Sequence, residues 1–180
     1  DYVFNGEKNT PLKEEDEIGP KTAYGKTKLE GEIFIQETCN KYFIIRTAWL
    51  YGCNGNNFVK TMLELAKNNN EINVVNDQVG SPTYTFDLAI AISKIIETDD
   101  YGIYHLTNSG SCSWYEFSKE IFKLSNINIK VNPVSTEEFP RPAPRPKYSV
   151  LNHCSWKMEG YPPIRNYKEA LKDYMKLLGH

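Results

Sequence analysis

Residues 42–51 read YFIIRTAWLY and stop at Gly52. The run is almost continuously apolar and shows no alternation of apolar and polar positions. It therefore reads as a strand buried on both faces, as in a parallel sheet. Parallel strands need crossover connections, usually helices, so the flanking segments should be helical. They have that pattern. A helix is expected from near Thr22 to about Cys39, with Leu29, Ile33 and Gln36 on one face. After the strand, Asn56 or Asn57 can cap a helix in which Phe58, Met62, Leu65 and Ala66 keep helical period.

The alternation continues. Ile72–Val75 reads as a short strand, 77–83 as a loop, Phe86–Ile96 as a helix and Gly102–Leu106 as a strand. Ser113-Trp114-Tyr115-Glu116 has the form of a capping box opening a further helix. Ile127–Val134 is strand-like, 138–147 is a proline-rich loop, and Tyr167–Leu178 closes the chain as a helix. Residues 5–21, polar and rich in turn formers, read as a surface loop. The expected fold class is α/β with a mainly parallel sheet. The Gly-rich strand–turn–helix fingerprint of a dinucleotide site does not occur.

Composition narrows the function. With 180 residues and 40% hydrophobic content, the chain can build one domain with a real core. A net charge of −2 gives no electrostatic case for nucleic acid, and no apolar run reaches membrane-spanning length. Cys39, Cys53, Cys112 and Cys154 form no CxxC pair, and His105, His153 and His180 have no metal-ligand spacing with them. The expectation is a reduced, cytoplasmic protein without a metal. His153 and Cys154 are sequence neighbours, whereas catalytic dyads are usually assembled across a fold. The chain opens without methionine on Asp1-Tyr2-Val3-Phe4-Asn5-Gly6, which reads as a strand end running into a turn. That suggests a fragment of a longer protein.

One spacing carries chemistry. Tyr24 and Lys28 are four apart, so they share a helix face. An ammonium near a phenol favours the phenolate, and such a phenol can act as a general acid toward a carbonyl oxygen that receives hydride. Gly25 and Gly31 are expected to keep that side of the helix open to a flat cofactor. The spacing alone is weak, because Tyr115 and Lys119 repeat it. That second pair reads as helix packing plus an exposed lysine, and a solvated first helical turn is the plain alternative for Tyr24 and Lys28.

Context adds more. Pro20 stands four residues before Tyr24, and the 42–51 strand follows some twenty residues after the pair. The segments Asp1–Phe4, Tyr24–Glu32, Arg46–Gly52, Asn57–Met62, Asp77–Thr83, Gly102–His105 and Arg141–Pro146 accompany them. Together they closely resemble the dTDP-4-dehydrorhamnose reductase family of extended short-chain dehydrogenase/reductases, over essentially the whole chain. The resemblance implies a partial NAD(P)-binding Rossmann-type parallel sheet plus a small C-terminal substrate-binding α/β domain. Residues of about 1–75 and 84–107 would complete the first, and about 76–83 and 108–165 would form the second. It implies that NADPH or NADH reduces the C4 keto group of dTDP-4-dehydro-L-rhamnose, a step in polysaccharide precursor synthesis.

By the same resemblance, Tyr24 is the proton donor, and Lys28 holds the nicotinamide ribose and tunes Tyr24. Trp49 lies against the sugar, Asp1 and Tyr2 at the rim of its site, and Gln78, Gly80 and Pro82 in a substrate-side loop. Arg145, with Arg141, pairs with the diphosphate. Core packing is the alternative for Trp49, and a rigid polyproline II connector for the stretch around Arg145. The family's catalytic Ser/Thr would fall just before Asp1, and the Gly-rich first βα unit, which holds the cofactor pyrophosphate, is not in this sequence. The chain alone is thus expected to bind NAD(P)H poorly and to be inactive. A nucleotide-sugar epimerase or 4,6-dehydratase shares Tyr and Lys, and a non-catalytic regulatory subunit shares the fold. A dTDP-sugar is the expected partner, with no nucleic acid and no membrane, and a homodimer is compatible with the reading.

Overall fold

Three helices start close to where the sequence places them, each on a side-chain cap. In the computed structural model, which describes residues 1–140 and 142–180, the Thr22 hydroxyl accepts the Gly25 N–H at 3.0 Å and opens α1 (Ala23–Thr38). β1 (Phe43–Arg46) and β2 (Leu50–Tyr51) follow. Asn57 accepts the Lys60 N–H at 3.1 Å and opens α2 (Phe58–Asn68). Next come β3 (Glu71–Val75), β4 (Val79–Gly80), β5 (Thr83–Tyr84), α3 (Thr85–Ile95), β6 (Gly102–His105) and β7 (Cys112–Ser113). A complete capping box between Ser113 and Glu116 starts α4 (Trp114–Leu124). β8 (Lys130–Val134), α5 (Cys154–Met158) and α6 (Tyr167–Leu177) end the chain.

The strands pair as expected of an α/β protein with crossovers. β1 runs parallel to β6, β2 to β5, and β3 to β8, while β4 and β7 are antiparallel. Arg46 stands opposite His105 in the first pair. The elements β4, β7 and α5 had no signal of their own, since each is only two to five residues long.

Three expectations change. The 42–51 run is not one strand. It breaks over Thr47–Trp49, where Trp49 adopts φ +50, a conformation that turns the chain out of an extended path. The two pieces find different partners, and Ile44 and Arg46 are buried while Phe43 and Ile45 are half-buried, so β1 is not buried equally on both faces. The 5–21 segment is not wholly superficial. Leu12 is buried and bridges Leu151, its N–H donating to Val150 O at 2.8 Å. On α1 the inward residues are Gly25, Glu32 and half-buried Leu29, while Ile33 points outward and the Gln36 amide donates back to the Glu32 carbonyl.

The main core joins α2, α4 and α6 to β3 through Val59, Met62, Phe117, Ile121, Leu171 and Tyr174. A second cluster, around Leu88, Ile95, Leu106 and Trp156, joins α3, β6 and α5. A third, of Val3, Phe4, Leu12 and Leu151, lies under the first residues of the chain and under Leu29. No described helix is long and apolar enough to cross a membrane. Among the described residues, no group of three or more His, Cys, Asp or Glu side chains is placed to hold a metal ion.

Candidate active site

The Thr22 cap puts Tyr24 in the first turn of α1, where 59% of it is exposed. Its ring meets the Tyr2 ring edge to face, with centroids 5.5 Å apart and planes at 88°. The Lys28 ammonium lies 5.5 Å from the Tyr24 ring centroid, one turn on. The second pair has the same local geometry, with Lys119 Nζ 5.3 Å from the Tyr115 ring. The spacing therefore sets the pair contact wherever it occurs, and the surroundings make the difference. Tyr115 packs half-buried against the main core, whereas Tyr24 opens onto a cavity.

Gly25 does not keep the helix open. A Cβ there would sit 2.2 Å from the Tyr2 carbonyl oxygen and 3.0 Å from Pro20 Cβ. The missing side chain instead lets α1 seat directly on the turn that carries Asp1 and Tyr2. Gly31 has nothing within 4 Å and does leave an open surface.

The cavity at Tyr24 has a volume of about 510 Å³, and Asp1, Tyr2, Thr22, Thr47, Ala48, Trp49 and Arg145 share its wall. A second cavity of about 490 Å³ adjoins it, lined by Phe58, Met62, Leu65, Gln78 and Trp114 and again by Asp1, Tyr2, Trp49 and Arg145. Trp49 thus stands between one compartment beside the phenol and another beside α2 and β3. Arg145 also borders a third cavity of about 410 Å³, together with Lys21 and Lys147.

Trp49 is held from several directions. A Cβ on Gly80 would fall 2.4 Å from its Cε2, so the indole rests directly on that backbone. Its carbonyl accepts the Thr83 N–H at 3.1 Å. Trp114 stacks on it with ring centroids 3.4 Å apart and planes 5° from parallel, and Phe58 packs behind Trp114. A positive φ at a bulky residue costs energy and persists only where the surroundings over-determine it. Here they do.

The remaining candidates separate. Gln78 is buried, and its amide donates to Thr136 Oγ1 at 3.0 Å, tying the 77–83 loop to the turn after β8. Gly80 backs Trp49, and Pro82 is buried in the link between β4 and β5 and lines neither main cavity. Arg145 is exposed, and Arg141 lies outside the described residues. The proline-rich stretch is anchored at its C-terminal end, through Pro146 and Lys147. Val79 N–H donates to Lys147 O at 2.8 Å, and Pro146 packs on Gly6, whose φ of +73 and close approach require glycine. Sequence reasoning did not find Trp114 or Phe58. Both carry ordinary helix-start and core-packing signals, and nothing local reports that they reach a cavity.

Several side chains that burial perturbs lie away from the two cavities. Burial, reinforced by the Arg46 charge, lowers His105 to about 3. Burial, with Lys157 nearby, lowers His153 to about 4. His153 Nε2 lies 2.8 Å from the Thr107 hydroxyl, so it is engaged there rather than with Cys154. Burial pushes the Cys112 thiol up to about 12. None is poised as a nucleophile.

The geometry can be set against known proteins. The family model that matches, over residues 1–179, is described as the RmlD substrate binding domain. The chain is 49% identical over 176 residues to the spore coat polysaccharide biosynthesis protein SpsK of Bacillus subtilis, covering 98% of this chain and 62% of that protein. It superposes on a dTDP-4-dehydrorhamnose reductase from Clostridium acetobutylicum with a TM-score of 0.97 at 54% identity, covering 99% of this chain and 64% of the other. It superposes on the dTDP-4-dehydrorhamnose reductase of Bacillus anthracis, solved in complex with NADP, with a TM-score of 0.94 at 48% identity, covering 98% and 62%. The chain thus spans less than two thirds of the length of these relatives.

Proposed function

The chain belongs to the RmlD substrate-binding-domain family, and from that premise we propose that the full-length protein reduces the C4 keto group of a dTDP-linked deoxysugar, dTDP-4-dehydro-L-rhamnose, to the alcohol. One observation carries the reading. The exposed Tyr24 phenol opens onto the same cavity as Trp49 and Arg145, and Lys28 lies one turn below it.

Tyr24 donates its phenolic proton to the carbonyl oxygen as that oxygen becomes an alcohol. The Lys28 charge offsets the negative charge left on the phenol. Trp49 offers an aromatic plane to the apolar patch of the deoxysugar. The Arg145 guanidinium suits a diphosphate, which it can contact with two parallel N–H donors. Asp1 and Tyr2 form the rim shared by both cavities. Gln78, Gly80 and Pro82 act less directly, as the buried frame of the loop behind Trp49.

A nicotinamide cofactor, when bound, supplies the hydride. Tyr24 and Lys28 are the residues of this chain that would hold its ribose. The open surface at Gly31 fits such a flat group, as does the Thr47 hydroxyl, which lacks a partner among the described residues at the wall of the Tyr24 cavity. In this reading 1–75 and 84–107 complete the nucleotide-binding part, and 76–83 with 108–165 form the substrate part. The antiparallel β4–β7 pair and the Gln78–Thr136 bond support joining the latter two stretches.

The test is an assay of the full-length protein with NADPH and NADH, following product by chromatography. Oxidation of the nicotinamide matched by formation of dTDP-L-rhamnose is expected. Interconversion of nucleotide sugars without net nicotinamide consumption would overturn the reading in favour of an epimerase. No turnover would leave a binding or regulatory chain as the better account.

A further inference from the structure

Behind the cavity wall, α1 is fastened to β1 by a buried ion pair. Glu32 lies one helical turn after Lys28 and two after Tyr24. Arg46 ends β1, three residues before Trp49. Arg46 NH2 meets Glu32 Oε2 at 2.6 Å, and Arg46 Nε reaches both carboxylate oxygens, at 3.0 and 3.1 Å. The two side chains are only 3% and 11% exposed. The remaining Arg46 nitrogen is also engaged. NH1 donates to the Glu14 carbonyl at 3.2 Å and lies 3.5 Å from His105 Nε2. His105 Nδ1 is 3.1 Å from the carbonyls of both Leu12 and Asn152. That places the ring proton on Nδ1 and leaves Nε2 as an acceptor facing Arg46. The guanidinium also lies over the Phe4 ring, 5.2 Å from its centroid.

A buried ion pair is a poor way to gain stability, because desolvating two charges offsets most of their attraction. A forked carboxylate–guanidinium contact does something that apolar packing does not, which is to fix distance and angle. On α1 that matters. Within this chain the inward residues are few, and Ile33, Phe34 and Ile35 are exposed, so hydrophobic packing against the other elements of this chain holds the helix weakly against rotation. Its rotation is set at two points, by Gly25 seated on Tyr2 and by Glu32 held in the Arg46 fork.

We propose that Glu32 and Arg46 are positioning residues for the reaction. Their pair sets Tyr24 and Lys28, on one side of the cavity, at a fixed offset from Trp49 on the other. The proposal rests on the reading above, in which Tyr24 gives the proton and Trp49 bounds the sugar.

The test uses the full-length protein, NADPH and dTDP-4-dehydro-L-rhamnose, with kcat, KM and thermal unfolding measured for each variant. Glu32→Leu combined with Arg46→Met replaces the pair by apolar side chains that can fill the same space. This variant should stay folded with a modest fall in melting temperature, since apolar replacement of such a pair is often neutral but the Glu14 carbonyl and His105 Nε2 lose their donor, while kcat falls by on the order of 100-fold and KM changes less. Arg46→Lys, which keeps the charge and loses the fork, should not restore kcat. Glu32→Gln keeps the shape and serves if the double variant does not fold. For it, the melting temperature should fall, because Arg46 keeps a buried charge without its carboxylate, and kcat measured well below the unfolding transition should fall by about tenfold.

A folded double variant, or a folded Glu32→Gln, that keeps kcat within about twofold of the parent overturns the proposal. Tyr24→Phe separates the two layers. If the parent turns over, Tyr24→Phe does not, and removal of the pair is tolerated, only the positioning role fails. If the parent shows no turnover, the underlying reading fails.

Discussion

Gly25 and Gly31, six residues apart on one helix, have opposite jobs. A methyl group on Gly25 would press into the Tyr2 carbonyl, a backbone atom that can move only with the turn that carries it. A methyl group on Gly31 would meet nothing. Gly25→Ala should therefore destabilise the protein by about 1–3 kcal/mol and lower turnover, as overpacking does. Gly31→Ala should stabilise it by roughly 1 kcal/mol through helix propensity alone. Urea unfolding of both variants checks the pair of signs. The sequence places the two glycines about 120° apart around the helix and does not say which one meets a neighbour, because the atom that separates them belongs to residue 2. Trp49 raises the same difficulty. Its motif marks it as a candidate, but its positive φ and its seat on Gly80 depend on a contact thirty-one positions away.

At the scale of elements, the legible parts are those written locally. The Thr22 and Asn57 caps and the Ser113–Glu116 box each satisfy backbone N–H groups within three residues, so the helix starts can be read directly. The strand over 42–51 was legible as apolar but not as divided. Its break comes from partners distant in sequence, with β1 recruited by β6 and β2 by β5. The face of α1 was misread for a related reason. Helical periodicity assumes that apolar residues point inward, yet the inward position after Leu29 is Glu32, made acceptable only by Arg46 in the next element. The candidate residues were found largely through family motifs. What brings Asp1, Tyr2, Trp49 and Arg145 to one shared wall is tertiary, and no local pattern announces it.

At the scale of the whole molecule, the site sits where the first turn of the chain, α1, the β1–β2 break and the proline-rich segment converge, with buried histidines behind it. His105 and His153 have folded values of about 3 and about 4, against an ordinary 6.5. Between pH 6.5 and those values the unfolded chain binds protons that the folded one excludes, so stability falls as pH falls. Each histidine should contribute a slope of up to roughly 1.4 kcal/mol per pH unit in that window and none above it. Melting temperatures measured across the window should fall with acidity, and His153→Gln should flatten the slope. The central claim is narrower: Tyr24 is the acid of a carbonyl reduction. Its most direct test is single-turnover reduction of dTDP-4-dehydro-L-rhamnose by the full-length protein and by Tyr24→Phe, under saturating NADPH. The account predicts that removing the phenolic oxygen slows the chemical step by about 10²–10⁴-fold with nucleotide-sugar binding preserved. A Tyr24→Phe protein that reduces the sugar as fast as its parent would contradict it.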